Sequence, residues 1–134
     1  MFSVSRRGGA SEYVGHFGLK EVKDGSTTYY VIDGFDTQDL FQLKNNGYKF
    51  IVINLFNNGI TTAYIGCSAF FVISLDLVYD AITRLSANTV SFQNVLTQTP
   101  VLTNIHIHNS SGNLANCIRV QQQYMNEIYI YGVR

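Results

Sequence analysis

The feature that most constrains this chain is its punctuation. Asp24-Gly25 separates the run GHFGLKEVK from STTYYVID, and Asn58-Gly59 separates YKFIVINLFN from ITTAYIG. Each dipeptide tolerates the positive φ that a two-residue hairpin loop demands. The runs between such signals are rich in Tyr, Phe, Val, Ile and Thr, the residues that suit a pleated, half-buried surface. Two hairpins are therefore expected, with further strands at 69–77, 89–95, 102–108, 117–121 and 127–133. With roughly eight or nine strands and a single proline, the expected fold is mainly β, a two-sheet β-sandwich of jelly-roll type.

One stretch departs from the strand pattern. Asp36 offers a capping oxygen, Asp39 follows three positions later, and Leu40, Phe41 and Leu43 come before the closing Asn45-Asn46-Gly47. This is the signature of a short helix near residues 37–44. At 134 residues the chain is long enough for one domain with its own core. It divides into a flexible amino-terminal arm over 1–11, containing Arg6-Arg7-Gly8-Gly9, and a domain over 12–134.

The stretch YKFIVINLF is apolar on both alternating faces, with Tyr48, Phe50, Val52 and Phe56 on one and Ile51, Ile53 and Leu55 on the other. A sandwich strand ordinarily keeps one wet face. Either the helix and a loop cover the second face, or another subunit does. The same question arises for AFFVISLDLV at 69–78, and apolar surface left in water costs about 25 cal/mol per Å². Tyr48, Phe50, Val52, Phe56, Phe70 and Val72 are accordingly the candidate assembly surface, and a homotrimer or dimer is expected.

Composition narrows the partners. Nine Lys and Arg balance nine Asp and Glu, and only 13% of residues are charged. Nucleic acid and anionic membranes both require clustered positive charge, so neither is expected. The longest nearly uncharged apolar stretch, 69–78, is half the ~20 residues of a membrane helix and holds Ser74 and Asp76, so membrane insertion is not expected. The opening MFSVSRRGGASEYV lacks the apolar run of about 7–15 residues that an export signal carries. Cys67 and Cys117 fit neither a zinc spacing nor a dense disulfide framework and read as buried free thiols, with a disulfide between them as the alternative.

Signals for chemistry are few. His106 and His108 would project from one strand face, as zinc ligands in some β proteins do, but a third ligand is not placed by the sequence. A solvated strand face opposite Ile105 and Ile107 explains the same alternation. Asp33, Asp36 and Asp39 cluster, with turn and cap duties as the simpler account, and no nucleophile signature or phosphate loop is present. The expectation is a non-enzymatic protein without a cofactor or metal.

What remains is a surface of Asn, Gln, Thr, Ser and Tyr, side chains that hydrogen-bond sugar hydroxyls without desolvating a charge. The ligand-binding candidates are two loop segments flanking the strand at 117–121: Asn109 to Asn113, and Gln121, Gln122, Gln123 and Tyr124. If these segments lie at opposite poles of the sandwich, the second is the preferred site, because Tyr124 offers a ring and the amides offer donors and acceptors.

Arg119 and the run Glu127-Ile128-Tyr129-Ile130-Tyr131-Gly132 match the cadence of the closing strands of galactose-binding-like jelly rolls such as discoidin domains. The resemblance covers about the last sixth of the chain; it implies a jelly roll, while the absence of Trp and the placement of the cysteines depart from that family. The chain also resembles bacteriophage virion proteins in its low charge, its abundance of Asn, Thr, Gln and Tyr, and its two-sided apolar strands. That likeness implies a head-fibre, decoration or tail component, made in the host cytoplasm and located in the virion. Its partners would be itself, other virion proteins and a cell-surface carbohydrate. The alternative is a monomeric carbohydrate-binding jelly-roll module of a larger, extracellular protein, and a small metalloenzyme or hydrolase built on His106 and His108 is the third reading.

Overall fold

The computed structural model describes residues 11–57, 68–93, 96–97, 103–121 and 124–134. Along these the elements run β1 (Ser11–Asp24), β2 (Thr27–Asp33), α1 (Thr37–Asn45), β3 (Phe50–Phe56), β4 (Ser68–Ser74), α2 (Leu75–Thr83), β5 (Thr89–Gln93), β6 (Leu96–Thr97), β7 (Asn104–His108), β8 (Ile118–Val120) and β9 (Glu127–Val133). The fold is mainly β. The strands form one antiparallel sheet in the order β5-β7-β8-β2-β1-β9-β3-β4-β6, which curls until β4 approaches β5 and the sheet nearly closes into a barrel.

β1 is the strand on which the sheet turns. Its first half, Ser11 to Phe17, pairs with β9, and its second half, Gly18 to Asp24, pairs with β2. Ser11, assigned by sequence to the arm, is already paired with Val133. The register slips by one residue between Tyr13 and Gly15, so Val14 is an extra residue, and Tyr13 and His16 face the same side although three apart. The β1–β2 hairpin stands as expected with its loop displaced by one. Asp24 pairs with Thr27, leaving Gly25 and Ser26 as the loop, with Gly25 at φ 65° taking the left-handed position. The expected turn at Asn58-Gly59, and the strand after it, lie outside the described residues. Across that connection β3 and β4 pair in full register, Phe50 with Ser74 through Phe56 with Ser68.

α1 forms where the capping signal placed it. Asp36 accepts from the Asp39 amide, and the Asp39 carboxylate accepts from the Asp36 amide, so two orphan donors of the first turn are satisfied reciprocally. Burial pushes the Asp39 carboxyl above its usual range, against the hydrogen bond from Asp36. The remaining member of the acidic trio, Asp33, faces Lys20 at 3.9 Å on the surface.

The second helix corrects the expectation of a strand over 69–77. β4 ends at Ser74, whose hydroxyl accepts from the Leu77 amide at 3.2 Å and so caps α2. Leu75, Val78 and Ile82 then fall on one helical face and are buried. α2 packs against α1, β4 and β5, and thus spans the gap where the curled sheet fails to close. One hydrophobic core results, with Ile51, Ile53, Leu55, Phe71, Ile73, Ile105, Ile107, Ile118, Ile128 and Ile130 from the strands and Leu40, Leu75 and Val78 from the helices.

Both helices therefore serve the inner side. Neither covers the outward face of β3 and β4, which leaves that face open. Among the described residues no helix is long and apolar enough to cross a membrane.

Candidate functional site

Alternation along β3 sends Ile51, Ile53 and Leu55 into the core at 0% exposure and turns Phe50, Val52, Asn54 and Phe56 outward. Strand pairing then assembles an apolar field that no single segment contains. Val52 lies between Val72 of β4 and Tyr131 of β9, and Tyr131 lies beside Tyr13 of β1. In the next row Asn54 lies between Phe70 and Tyr129, with His16 beyond. Tyr13 is 61% exposed, Val72 49%, Phe50 43% and Phe56 38%, values that belong to surface residues although the side chains are apolar.

The rings on this face are organised. His16 stacks on Tyr129 with centroids 4.3 Å apart and planes 4° from parallel; Phe56 meets Tyr129 edge-on at 5.7 Å; Tyr13 meets Tyr131 at 5.7 Å. His16 Nε2 also sits 2.6 Å from the Glu127 carboxylate. A shallow groove of about 490 Å³ runs over Asn54, Phe56, Glu127, Tyr129 and Tyr131.

Of the six residues expected to form an assembly surface, Phe50, Val52, Phe56, Phe70 and Val72 share this face. Tyr48 does not. Strand alternation begins only at Phe50, because the chain leaves α1 through Gly47 at φ 95° and the Tyr48 amide still bonds to Leu43 of the helix. The Tyr48 ring consequently lies on the inner side, against Gly132, where an added Cβ would stand 2.7 Å from the ring. Its hydroxyl donates to Glu12 at 3.0 Å, and the Arg134 guanidinium lies 4.0 Å above its centroid and bonds the same carboxylate. Arg134 and Tyr48 hold the Glu12 carboxyl below its usual range. Tyr48 is thus a clasp at the end of the curled sheet.

The ligand candidates separate. Asn109 braces its own loop, donating to the Ala87 carbonyl at 3.2 Å and accepting from the Ser110 amide at 2.6 Å. Asn113 donates to Asp24 at 2.6 Å, tying its loop to the β1–β2 turn. Both stand at the His108 end of β7, whereas the Gln121 amide bonds to the Asn104 carbonyl at the other end. Tyr124 packs its ring against the core. Gln122 and Gln123 lie outside the described residues, as does Cys67. The two loop segments therefore do not form one site, and the structure gives Asn109 and Asn113 bracing roles that sequence alone did not disclose.

The outward face of the other half of the sheet differs in kind. β5, β7 and β8 bring Ser91, His106 and Arg119 into one row, continued by Val31 and Lys20. His106 Nδ1 shares a 2.7 Å hydrogen bond with Ser91 Oγ, His108 Nδ1 one of 3.2 Å with Thr89 Oγ1, and Arg119 Nε donates to His108 Nε2 at 3.4 Å. The Arg119 guanidinium also lies 5.0 Å from the Tyr29 ring centroid. Burial first, then the charge of Arg119, pushes His106 down to about 4 and lowers His108 as well; burial lowers Arg119. Cys117 is a free, half-buried thiol whose pKa burial pushes up.

The Ser91–His106 pair has the spacing of a nucleophile and its base. Yet an imidazole held near 4 is a weak base, and no carboxylate among the described residues orients its ring. Among the described residues no group of three or more His, Cys, Asp or Glu is placed to hold a metal ion. The sequence located the histidine pair on one face; it could not locate Arg119 beside them, because strand register across the connection over 109–117 is not written locally. No family model matches the chain, and neither the curated proteins nor the solved structures contain a significant match to it.

Proposed function

We propose that this chain is a non-enzymatic structural or adhesion module that assembles with copies of itself, as a homotrimer or dimer, through the outward face of β3, β4 and β9. The observation that carries this reading is the open apolar field around Val52, Val72, Tyr131 and Phe50, which the helices leave uncovered. The carboxylate at its margin, Glu127, already lies 2.6 Å from His16 Nε2. An apolar centre with a polar margin is how association surfaces are built. A second copy suits it better than a charged partner, because the chain has zero formal net charge and presents no excess of either sign. In this reading the curled sheet is a variant of the two-sheet jelly-roll sandwich with β1 shared by both layers. The setting is a virion component such as a head fibre, decoration or tail protein, in contact with other virion proteins.

Mass in solution by light scattering tests the assembly. A dimer or trimer at micromolar concentration is the expected result, and a clean monomer overturns it. A gene placed among capsid or tail genes supports the virion setting, and one placed among metabolic genes removes it.

The second reading, a monomeric carbohydrate-binding module, is favoured by the groove over Tyr129 and Phe56. There an aromatic face adjoins the polar groups of Asn54 and Glu127, as a sugar ring with its hydroxyls requires. A monomer that is retained on a glycan array, and loses retention on Tyr129→Ala, decides for it.

A further inference from the structure

The outward face of β5, β7 and β8 holds a charge, on Arg119, with no carboxylate partner among the described residues. Arg119 is half-buried, and among the described residues its contacts are a neutral imidazole and the face of Tyr29; no carboxylate pairs with it. A partly desolvated cation without a counterion is costly unless a partner completes it. The groups around it are polar and carry no negative charge. His108 accepts from Arg119 through Nε2, which leaves its proton on Nδ1, toward Thr89. His106 and Ser91 lie in the same strand row as the guanidinium. One row further, Asn104 and Gln93 are cross-strand partners and Gln121 bonds to the Asn104 backbone, so uncharged amides adjoin the cation.

We propose that this face is an oxyanion-binding site for an acidic saccharide, with Arg119 as the anchor for a carboxylate or sulfate, His106 as a flanking donor and His108 as the acceptor that orients the guanidinium. The planar guanidinium suits a two-oxygen group, and the amides and hydroxyls beside it suit the saccharide's neutral hydroxyls. The site is independent of the apolar face, which lies on the other half of the sheet.

Proton uptake accompanies binding. The two imidazoles are neutral because they are partly buried beside Arg119. Burial is the larger cause and the charge of Arg119 the second; an anion seated on the guanidinium offsets the second, so binding raises both imidazole pKa values and affinity grows as pH falls. The other titratable groups near this face are Tyr29 from β2, Cys117 beside β8, and Lys20 of β1 with its partner Asp33 of β2. The strand faces behind it contribute Ile105, Ile107, Ile118 and Val120, which carry no charge.

The experiment uses the whole chain with three probes: sodium sulfate, a sulfated disaccharide and a short uronic-acid oligosaccharide. Imidazole resonances are followed by NMR and affinity by calorimetry, at about pH 5.5 and pH 8. The saccharide probes are expected to shift the His106 and His108 resonances and bind more tightly at the lower pH. Arg119→Gln is expected to weaken them by about tenfold or more, and Arg119→Lys by less. His106→Gln with His108→Gln is expected to weaken binding at both pH values and to abolish the difference between them. Imidazole resonances unmoved by every probe, or Arg119→Gln binding like the wild type while its circular dichroism is unchanged, overturns the site. Sulfate bound as well as either saccharide overturns the saccharide assignment.

Discussion

The two outward faces of the sheet share one core and one alternation of strand residues, yet they are chemically opposite. Over β3, β4 and β9 the outward positions are mostly apolar, among them Phe50, Val52, Phe70, Val72, Tyr129 and Tyr131; over β5, β7 and β8 they are polar, among them Ser91, His106, His108 and Arg119. Inward positions are apolar on both sides: Ile51, Ile53, Leu55 and Phe71 in one half and Ile105, Ile107, Ile118 and Val120 in the other have almost no exposure, and Val90 and Phe92 are half-buried. The fold is therefore encoded by one set of residues and the interactions with other molecules by the alternate set, so substitutions at adjacent positions ought to have unrelated consequences.

The sharpest contrast lies between neighbours on β3. Ile53→Ala, at a fully buried site, is expected to cost ~2–4 kcal/mol in urea denaturation. Val52→Ala, one position earlier and facing out, is expected to cost less than about 1 kcal/mol. Equal losses would mean that the outward face is packed within the monomer. Next in size is association. Val72→Asp places a charge at the centre of the apolar field and is expected to weaken self-assembly by roughly ten- to a hundredfold, read as mass against concentration. Gln93→Asp, exposed on the polar side, is expected to leave the mass curve unchanged. An unaltered curve for Val72→Asp would move the contact elsewhere.

The smallest effect belongs to the polar face and to pH. His106 titrates near 4 in the folded chain against about 6.5 when unfolded, so as pH falls the unfolded chain takes up the proton first. The stability that neutral His106 supports is complete above about pH 6.5 and is lost between there and about pH 4. Because much of the ring is exposed, the loss is ~1–2 kcal/mol rather than the full value of the shift. Denaturation of the wild type and His106→Gln at about pH 7.5 and pH 4.5 measures it; identical acid losses in the two proteins would remove His106 as the cause.

Much of this was legible in the residues, and what was missed shares a cause. The Asp36–Asp39 box, the strand Glu127–Val133 and the two-sided β3 are local patterns that structure formation respects. Tyr48 was placed on the wrong side because alternation was counted through the turn at Gly47. The first residues of α2, 75–77, read as strand because Leu75 and Leu77 continue the apolar run of β4, although the Ser74 cap and the spacing of Leu75, Val78 and Ile82 carry the helix signal. The neighbours Tyr131 of Val52 and Arg119 of His106 depend on which strands pair and in what register. That is decided by the closing of the whole sheet, not by any window of sequence.

The position of β9 in the sheet bears on how the chain comes into being. It follows every other described strand in sequence, yet it lies between β1 and β3, with Ser11 paired to Val133. Without Glu127–Val133, β1 and β3 each present an unmatched edge and the sheet is two fragments. Joining them takes insertion of a central strand far in sequence from its partners, a long-range step of the kind that slows folding.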